Sequence, residues 1–140
     1  VYIQLHYKAL EVYFGYNHTL SKRLRTEGGI VQEPFNPQDK IAATLSWAIP
    51  DKWRFGVETA FSGGQYANDN RRVSSFWFWA AMIARQFRWG TLVLNCENIG
   101  DARQARYEPL VTGGFQNPVF VPLWAPVEGR ALNISVKVDW

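Results

Sequence analysis

The chain has 140 residues, a formal charge of +3, 16% aromatic residues with 7 Trp, and one cysteine, Cys96. The mild charge is scattered rather than clustered, which excludes a nucleic-acid footprint, and a single cysteine excludes an internal disulfide framework or a cysteine-rich metal site. No apolar run approaches the roughly eighteen residues that a membrane helix needs. The length fits one ordinary domain or a piece of something larger. Because Val1 opens in mid-pattern, with no initiator methionine or signal peptide ahead of it, a fragment is expected.

Val1, Ile3, Leu5 and Tyr7 alternate with Tyr2, Gln4 and His6, which reads as the end of a first strand. Lys8-Ala9 reverses the chain tightly into a second strand, with Leu10, Val12, Phe14 and Tyr16 on one face. From about Arg25 to Asp39 the pattern gives way to Thr-Glu-Gly-Gly and Glu-Pro-Phe-Asn-Pro, a long loop. A third strand over Ile41 to Ile49, a sharp turn at Pro50-Asp51-Lys52 and a fourth strand from Trp53 to Ser62 follow. After a polar segment, a fifth strand is expected over Val73 to Phe87. Its run Phe76 to Ile83 is apolar throughout, so a buried helix competes with a strand covered on both faces; the aromatic enrichment and flanking turns favour the strand. Arg88-Trp89-Gly90 turns into a sixth strand holding Leu92, Leu94 and Cys96 on one face. A long excursion, Asp101 to Glu128, leads to the last strand. There Leu132, Ile134, Val136, Val138 and Trp140 alternate with Asn133, Ser135, Lys137 and Asp139.

The connections have a consistent polarity. Every short turn falls at one end of the strands and every long loop at the other. Alternating antiparallel strands with that rhythm point to a transmembrane β-barrel, the one sheet architecture that satisfies its own backbone in lipid. Trp47, Trp53, Trp89 and Trp140 all fall at the short-turn level, as expected of an interfacial girdle. The expected fold is therefore all-β: seven up-and-down antiparallel strands, residues 1–140 forming one part of a larger barrel.

Signals for enzymatic chemistry are weak, and no catalytic residue, metal site or cofactor is expected. His6 and His18 have no partner at metal-ligand spacing and read as polar strand residues. Glu11, Glu58 and Glu97 share the polar face with Arg54 and Lys137. They could be a catalytic carboxylate set; the favoured reading is a network of paired charges in a wet lumen. Arg103, Arg106 and Tyr107 in the last loop, with Trp124 further on, are residue types that contact ligands. The alternative is a loop that packs on its neighbours.

The run from Asn98-Ile99-Gly100-Asp101 to Glu108-Pro109-Leu110 resembles the Asn-hydrophobic-x-Asp motif opening the last extracellular loop of TonB-dependent outer-membrane receptors. The ending resembles theirs too, with Gly129-Arg130 entering an alternating strand that stops on an aromatic. Asn117-Pro118-Val119-Phe120, Trp124-Ala125-Pro126, Pro50-Asp51-Lys52-Trp53-Arg54 and Ser62-Gly63-Gly64-Gln65-Tyr66 are most similar to receptors of Bacteroidetes-type bacteria. The resemblance covers essentially the whole chain.

It implies the C-terminal part of a barrel of about 22 strands in the bacterial outer membrane, with the N-terminal plug absent. The implied function is TonB-energised uptake of a scarce nutrient, such as a siderophore, a cobalamin-like cofactor or a glycan. The implied partners are the lipid bilayer, the barrel-assembly machinery, TonB through the plug, and an unknown small-molecule or glycan ligand. The assembly machinery would read Val136, Val138 and Trp140, although phenylalanine is commoner than tryptophan at the last position. A passive porin-like or enzymatic outer-membrane barrel, and a soluble secreted β-sandwich that binds glycans through its tryptophans, remain open as alternatives.

Overall fold

The computed structural model describes residues 1–24 and 28–139. In chain order the strands are β1 (Tyr2–Tyr7), β2 (Leu10–His18), β3 (Lys22–Leu24), β4 (Ile30–Gln32), β5 (Asp39–Ile49), β6 (Trp53–Ser62) and β7 (Gln65–Tyr66). They continue with β8 (Arg72–Val73), β9 (Phe76–Phe87), β10 (Gly90–Glu97), β11 (Val111–Gly114), β12 (Asn117–Phe120) and β13 (Ala131–Val138). A 3-10 turn covers Gln104–Arg106. The protein is all-β, and its main element is a seven-stranded sheet ordered β1-β2-β5-β6-β9-β10-β13. Each strand is antiparallel to the next and follows it along the sheet without a crossover. That is the up-and-down topology the alternation implied. The sheet is open, and β1 and β13 are its edges.

Turn chemistry accounts for the short connections. Lys8 and Asp51 take left-handed backbone angles, φ 54° and 55°, at the tips of the first two. Gly90 follows the Arg88-Trp89 turn at a point where β13 comes so close that a Cβ would collide with the Lys137 carbonyl. At the opposite end, each long connection carries its own two-stranded hairpin: β3-β4, β7-β8 and β11-β12.

The apolar run Phe76–Ile83 lies within strand β9. This strand begins at Phe76, later than expected, because Val73 pairs with Gln65 in the small β7-β8 hairpin. The expected cover on both faces is not found: Trp77 and Trp79 are 43% and 41% exposed. The unbroken apolar run arises because Phe78, Ala80 and Met82 sit on the polar face over small neighbours. Phe78 faces Ala60, and Met82 faces Gly56.

Burial is concentrated away from the sheet. The apolar residues Ala67, Val73 and Trp124 form a core within the long loops, ringed by Phe35, Phe76 and Ala125. On the sheet, Leu132 and Ile134 remain 72% and 71% exposed. The folded loops thus sit on one end of a sheet whose own faces are open.

Candidate functional site

Strand register makes one face of the sheet apolar from edge to edge. Ile3, Phe14, Ala43, Thr59 and Trp79 form one cross-strand row. Val12, Leu45, Val57, Ala81, Cys96 and Leu132 form another. Val136 lies on this face opposite Leu92, and Val138 lies opposite Gly90.

Aromatic residues gather at both ends of that face. At the short-turn end, Trp47 and Trp53 stack on Phe55 at 5.4 and 5.8 Å, and Trp89 stacks on Phe87 at 5.2 Å. Trp47, Trp53 and Trp89 thus lie at the short-turn end of the sheet; Trp140 lies outside the described residues. Toward the long loops, Trp77 meets Phe61 at 4.8 Å and Trp79 at 5.8 Å. This second band was not anticipated. Strand parity within Phe76–Phe87 would have revealed it, since Trp77 and Trp79 share the face of Phe87.

The opposite face carries Gln4, Glu11, Thr44, Ser46, Glu58, Asn95, Asn133, Ser135 and Lys137 among small residues such as Ala42, Gly56 and Ala60. A concavity of about 510 Å³ lies over Ser46, Glu58, Met82, Asn95 and Ser135. The expected charge network does not form as drawn. Glu11 meets His6 at 3.4 Å, and Lys137 meets Asp139 at 2.9 Å. Among the described residues no ion pair takes in Glu58, Glu97 or Arg54. Each stands in a row of neutral side chains: Glu58 between Thr44 and Ala80, Arg54 between Ala48 and Ala84, and Glu97 beside Ala131. Elsewhere, His18 bonds Asp39 at 2.7 Å at the far end of the apolar face.

The last long loop is a folded cap organised by three buried polar side chains. Asn98 has φ 48°, a conformation that asparagine tolerates better than most residues. Its side-chain amide donates to the carbonyls of Ala102 and Glu128, both at 3.0 Å, and its oxygen accepts the Ala102 N–H at 2.8 Å. It therefore staples the two ends of the loop together. Gln104 is fully buried. Its Nε2 donates to Glu108 Oε1 and the Pro122 carbonyl, and its Oε1 accepts the Trp124 N–H. Gln65, from the neighbouring connection, donates to the Trp124 carbonyl at 2.9 Å. Glu108 then joins the two loops by accepting the Trp124 indole N–H through Oε1 and pairing with Arg71 through Oε2 at 2.9 Å.

All four expected ligand-contact residues fall in this cap. Arg103 and Arg106 both donate to Asp101 Oδ2. Burial pushes the Asp101 carboxyl up, but these two guanidinium charges and the Arg130 N–H outweigh it and hold it below the usual carboxylate range. Tyr107 packs its ring on Trp124 at 5.4 Å, and Trp124 is only 8% exposed. The structure brings them together as two pairs, Arg103 with Arg106 on Asp101 and Tyr107 with Trp124, and the two arginines and Trp124 are engaged by the loop itself. Where the chain leaves the cap at Gly129, a Cβ would come within 2.6 Å of Asp101 Oδ1 and displace that carboxylate. The sequence reading missed Asn98, Gln104, Gln65 and Glu108 as organisers, because a buried amide leaves no periodic trace. No family model, curated protein or solved structure matches the chain.

Proposed function

We propose that this chain is the C-terminal part of the barrel of a TonB-dependent receptor in the bacterial outer membrane. In this reading the receptor takes up a scarce nutrient, a siderophore, cobalamin-like molecule or glycan, and the chain itself is not an enzyme. The observation that carries the proposal is the apolar face that runs from edge to edge of the sheet with aromatics at both ends. Trp77 and Phe87 are about ten residue steps apart in β9. At about 3.3 Å per residue that is about 33 Å of strand, and a tilt of about 40° reduces it to about 25 Å of height. This is the thickness of the apolar band on outer-membrane barrels. A soluble sandwich must cover its apolar face with a second sheet, and the described residues supply none.

The other features fit the same picture. The polar concave face would line the lumen and meet the plug. The exposed edges β1 and β13 would pair with the remaining strands, since a barrel in lipid leaves no edge. The short turns would face the periplasm, and the cap would stand on the outer surface, where ligand arrives. Val136, Val138 and Trp140 would be presented to the assembly machinery.

The test is expression of the full-length protein with fractionation of the cells. Heat-modifiable migration and recovery from outer membranes only with detergent are the expected results. Recovery of a folded protein in buffer without detergent would overturn the proposal in favour of a soluble sandwich. Ligand class is then addressed by growth on heme-free ferric siderophores, cobalamin or oligosaccharides as the limiting nutrient, with and without the gene.

A further inference from the structure

Arg85 interrupts the apolar face at the short-turn end. Apart from His18 and Asp39 at the far end, it is the one charged side chain on that face of the described sheet. Its guanidinium carbon lies 4.5 Å from the centroid of the Trp53 ring and 5.2 Å from that of Phe87. The side chain is exposed. Asp139, at the same end of the sheet, is engaged by Lys137 and Gln86. No acceptor among the described residues takes a hydrogen bond from Arg85. The adjoining turns add Lys52 and Arg88 against the single carboxylate of Asp51, so this rim is basic.

We infer that Arg85, clamped between Trp53 and Phe87, is a binding site for the phosphodiester of an anionic membrane phospholipid, one whose headgroup carries no cation of its own. The inference rests on the barrel reading above, which places this face in lipid. A cationic side chain is costly at the bilayer midplane but tolerated near the interface, and Arg85 sits beside the turns. Its methylene stem lies along apolar surface while its charge reaches the headgroups. The two ring faces hold the guanidinium plane by cation–π attraction. The forked N–H groups then match two phosphate oxygens at once. One row further from the turns, half-buried Ile83 and the exposed Leu94 and Ile134 offer an apolar track for an acyl chain. A free phosphate could use only the guanidinium, in competition with water. The acyl chain is what makes the site selective for lipid.

The experiment places the full-length protein in nanodiscs of phosphatidylcholine with a minority of phosphatidylglycerol, and counts co-released lipids by native mass spectrometry. Phosphatidylglycerol is expected to be enriched on the wild type and to fall about fivefold with Arg85→Gln. Arg54→Gln removes the same charge from the polar face and should leave the enrichment intact. Inorganic phosphate at millimolar concentration should not compete. Equal enrichment in Arg85→Gln would overturn the lipid site while leaving the barrel reading intact. Competition by inorganic phosphate would replace it with a simple anion site. A protein that stays folded in buffer and never enters the nanodisc would overturn both. Where Arg85→Gln does not assemble, Arg85→Lys decides: it keeps the charge but loses the stacked fork, and undiminished enrichment would sink the proposal.

Discussion

The side-chain oxygen of Gln104 accepts the backbone N–H of Trp124 at 2.9 Å across twenty intervening steps of chain. Gln104 is completely buried, and its amide nitrogen is bonded to Glu108 and Pro122. Removing the amide leaves the buried Trp124 N–H without a partner, at about 1–3 kcal/mol, and takes a donor from the part-buried Pro122 carbonyl and Glu108 carboxylate. Gln104→Ala should therefore lower the opening free energy of the cap by about 2 kcal/mol or more. In hydrogen exchange the amides of residues 101–128 should lose about thirtyfold in protection, with those of β9 and β10 unaffected. Unchanged protection in the cap would show that the loop is held by other contacts.

Asn98 allows backbone geometry and side-chain bonding to be separated. It sits at φ 48° and makes three hydrogen bonds to Ala102 and Glu128. Asn98→Gly relieves the left-handed backbone but loses the bonds; Asn98→Ala loses the bonds and keeps the strain. The alanine variant should be the less stable by about 1 kcal/mol, read as a lower denaturant midpoint for cap opening by Trp124 fluorescence. Equal midpoints would mean that the backbone conformation contributes nothing.

Strand topology was legible in the sequence because one face of the sheet is apolar over most of its extent and alternation has a period of two. Leu132 to Val138 displays this directly. The run Phe76–Ile83 obscured it, since Phe78 and Met82 occupy the polar face over Ala60 and Gly56, small residues contributed by another strand. Such compensation across strands is invisible along a single one. The cap was legible only as a loop with ligand-contact residue types. What organises it is a set of neutral amides and one carboxylate, Asn98, Gln104, Gln65 and Glu108, paired over long separations. Arg103 and Arg106 looked available in the sequence because their partner, Asp101, gives no sign of facing both.

That shared carboxylate also sets a pH response. Burial raises the Asp101 carboxyl, the Arg103 and Arg106 charges lower it, and the net displacement is downward. The folded value is thus below that of the unfolded chain, about 3.9. The contribution of these ion pairs is fully present above that value and is lost as the pH falls through the lower folded value. Cap protection in hydrogen exchange should hold from neutrality to about pH 4 and decline below it. Asp101→Asn should lower protection at neutral pH and flatten the acid limb. An acid limb that persists in Asp101→Asn would assign the response to another group.

The two faces of β13 make opposite predictions for neighbouring residues. Ile134 lies on the apolar face opposite Leu94, and Ser135 lies on the polar face opposite Val93. Both are exposed in the described sheet, so packing within the chain does not distinguish an arginine at the two positions. The surrounding medium does. In the outer-membrane reading, Ile134→Arg puts a guanidinium into hydrocarbon one row deeper than Arg85, at a cost of about 2–4 kcal/mol near mid-membrane. Ser135→Arg puts the same group into the wet lumen, where its cost is small. The measurement is urea unfolding of the full-length protein in phospholipid vesicles, monitored by tryptophan fluorescence. A penalty confined to Ile134→Arg is expected. In a soluble sandwich or an aqueous monomer neither exposed position would carry it, and equal midpoints for the two variants would remove the lipid-facing assignment. A penalty confined to Ser135→Arg would reverse the faces, placing the concave side over Ser46, Glu58 and Asn95 against an apolar partner.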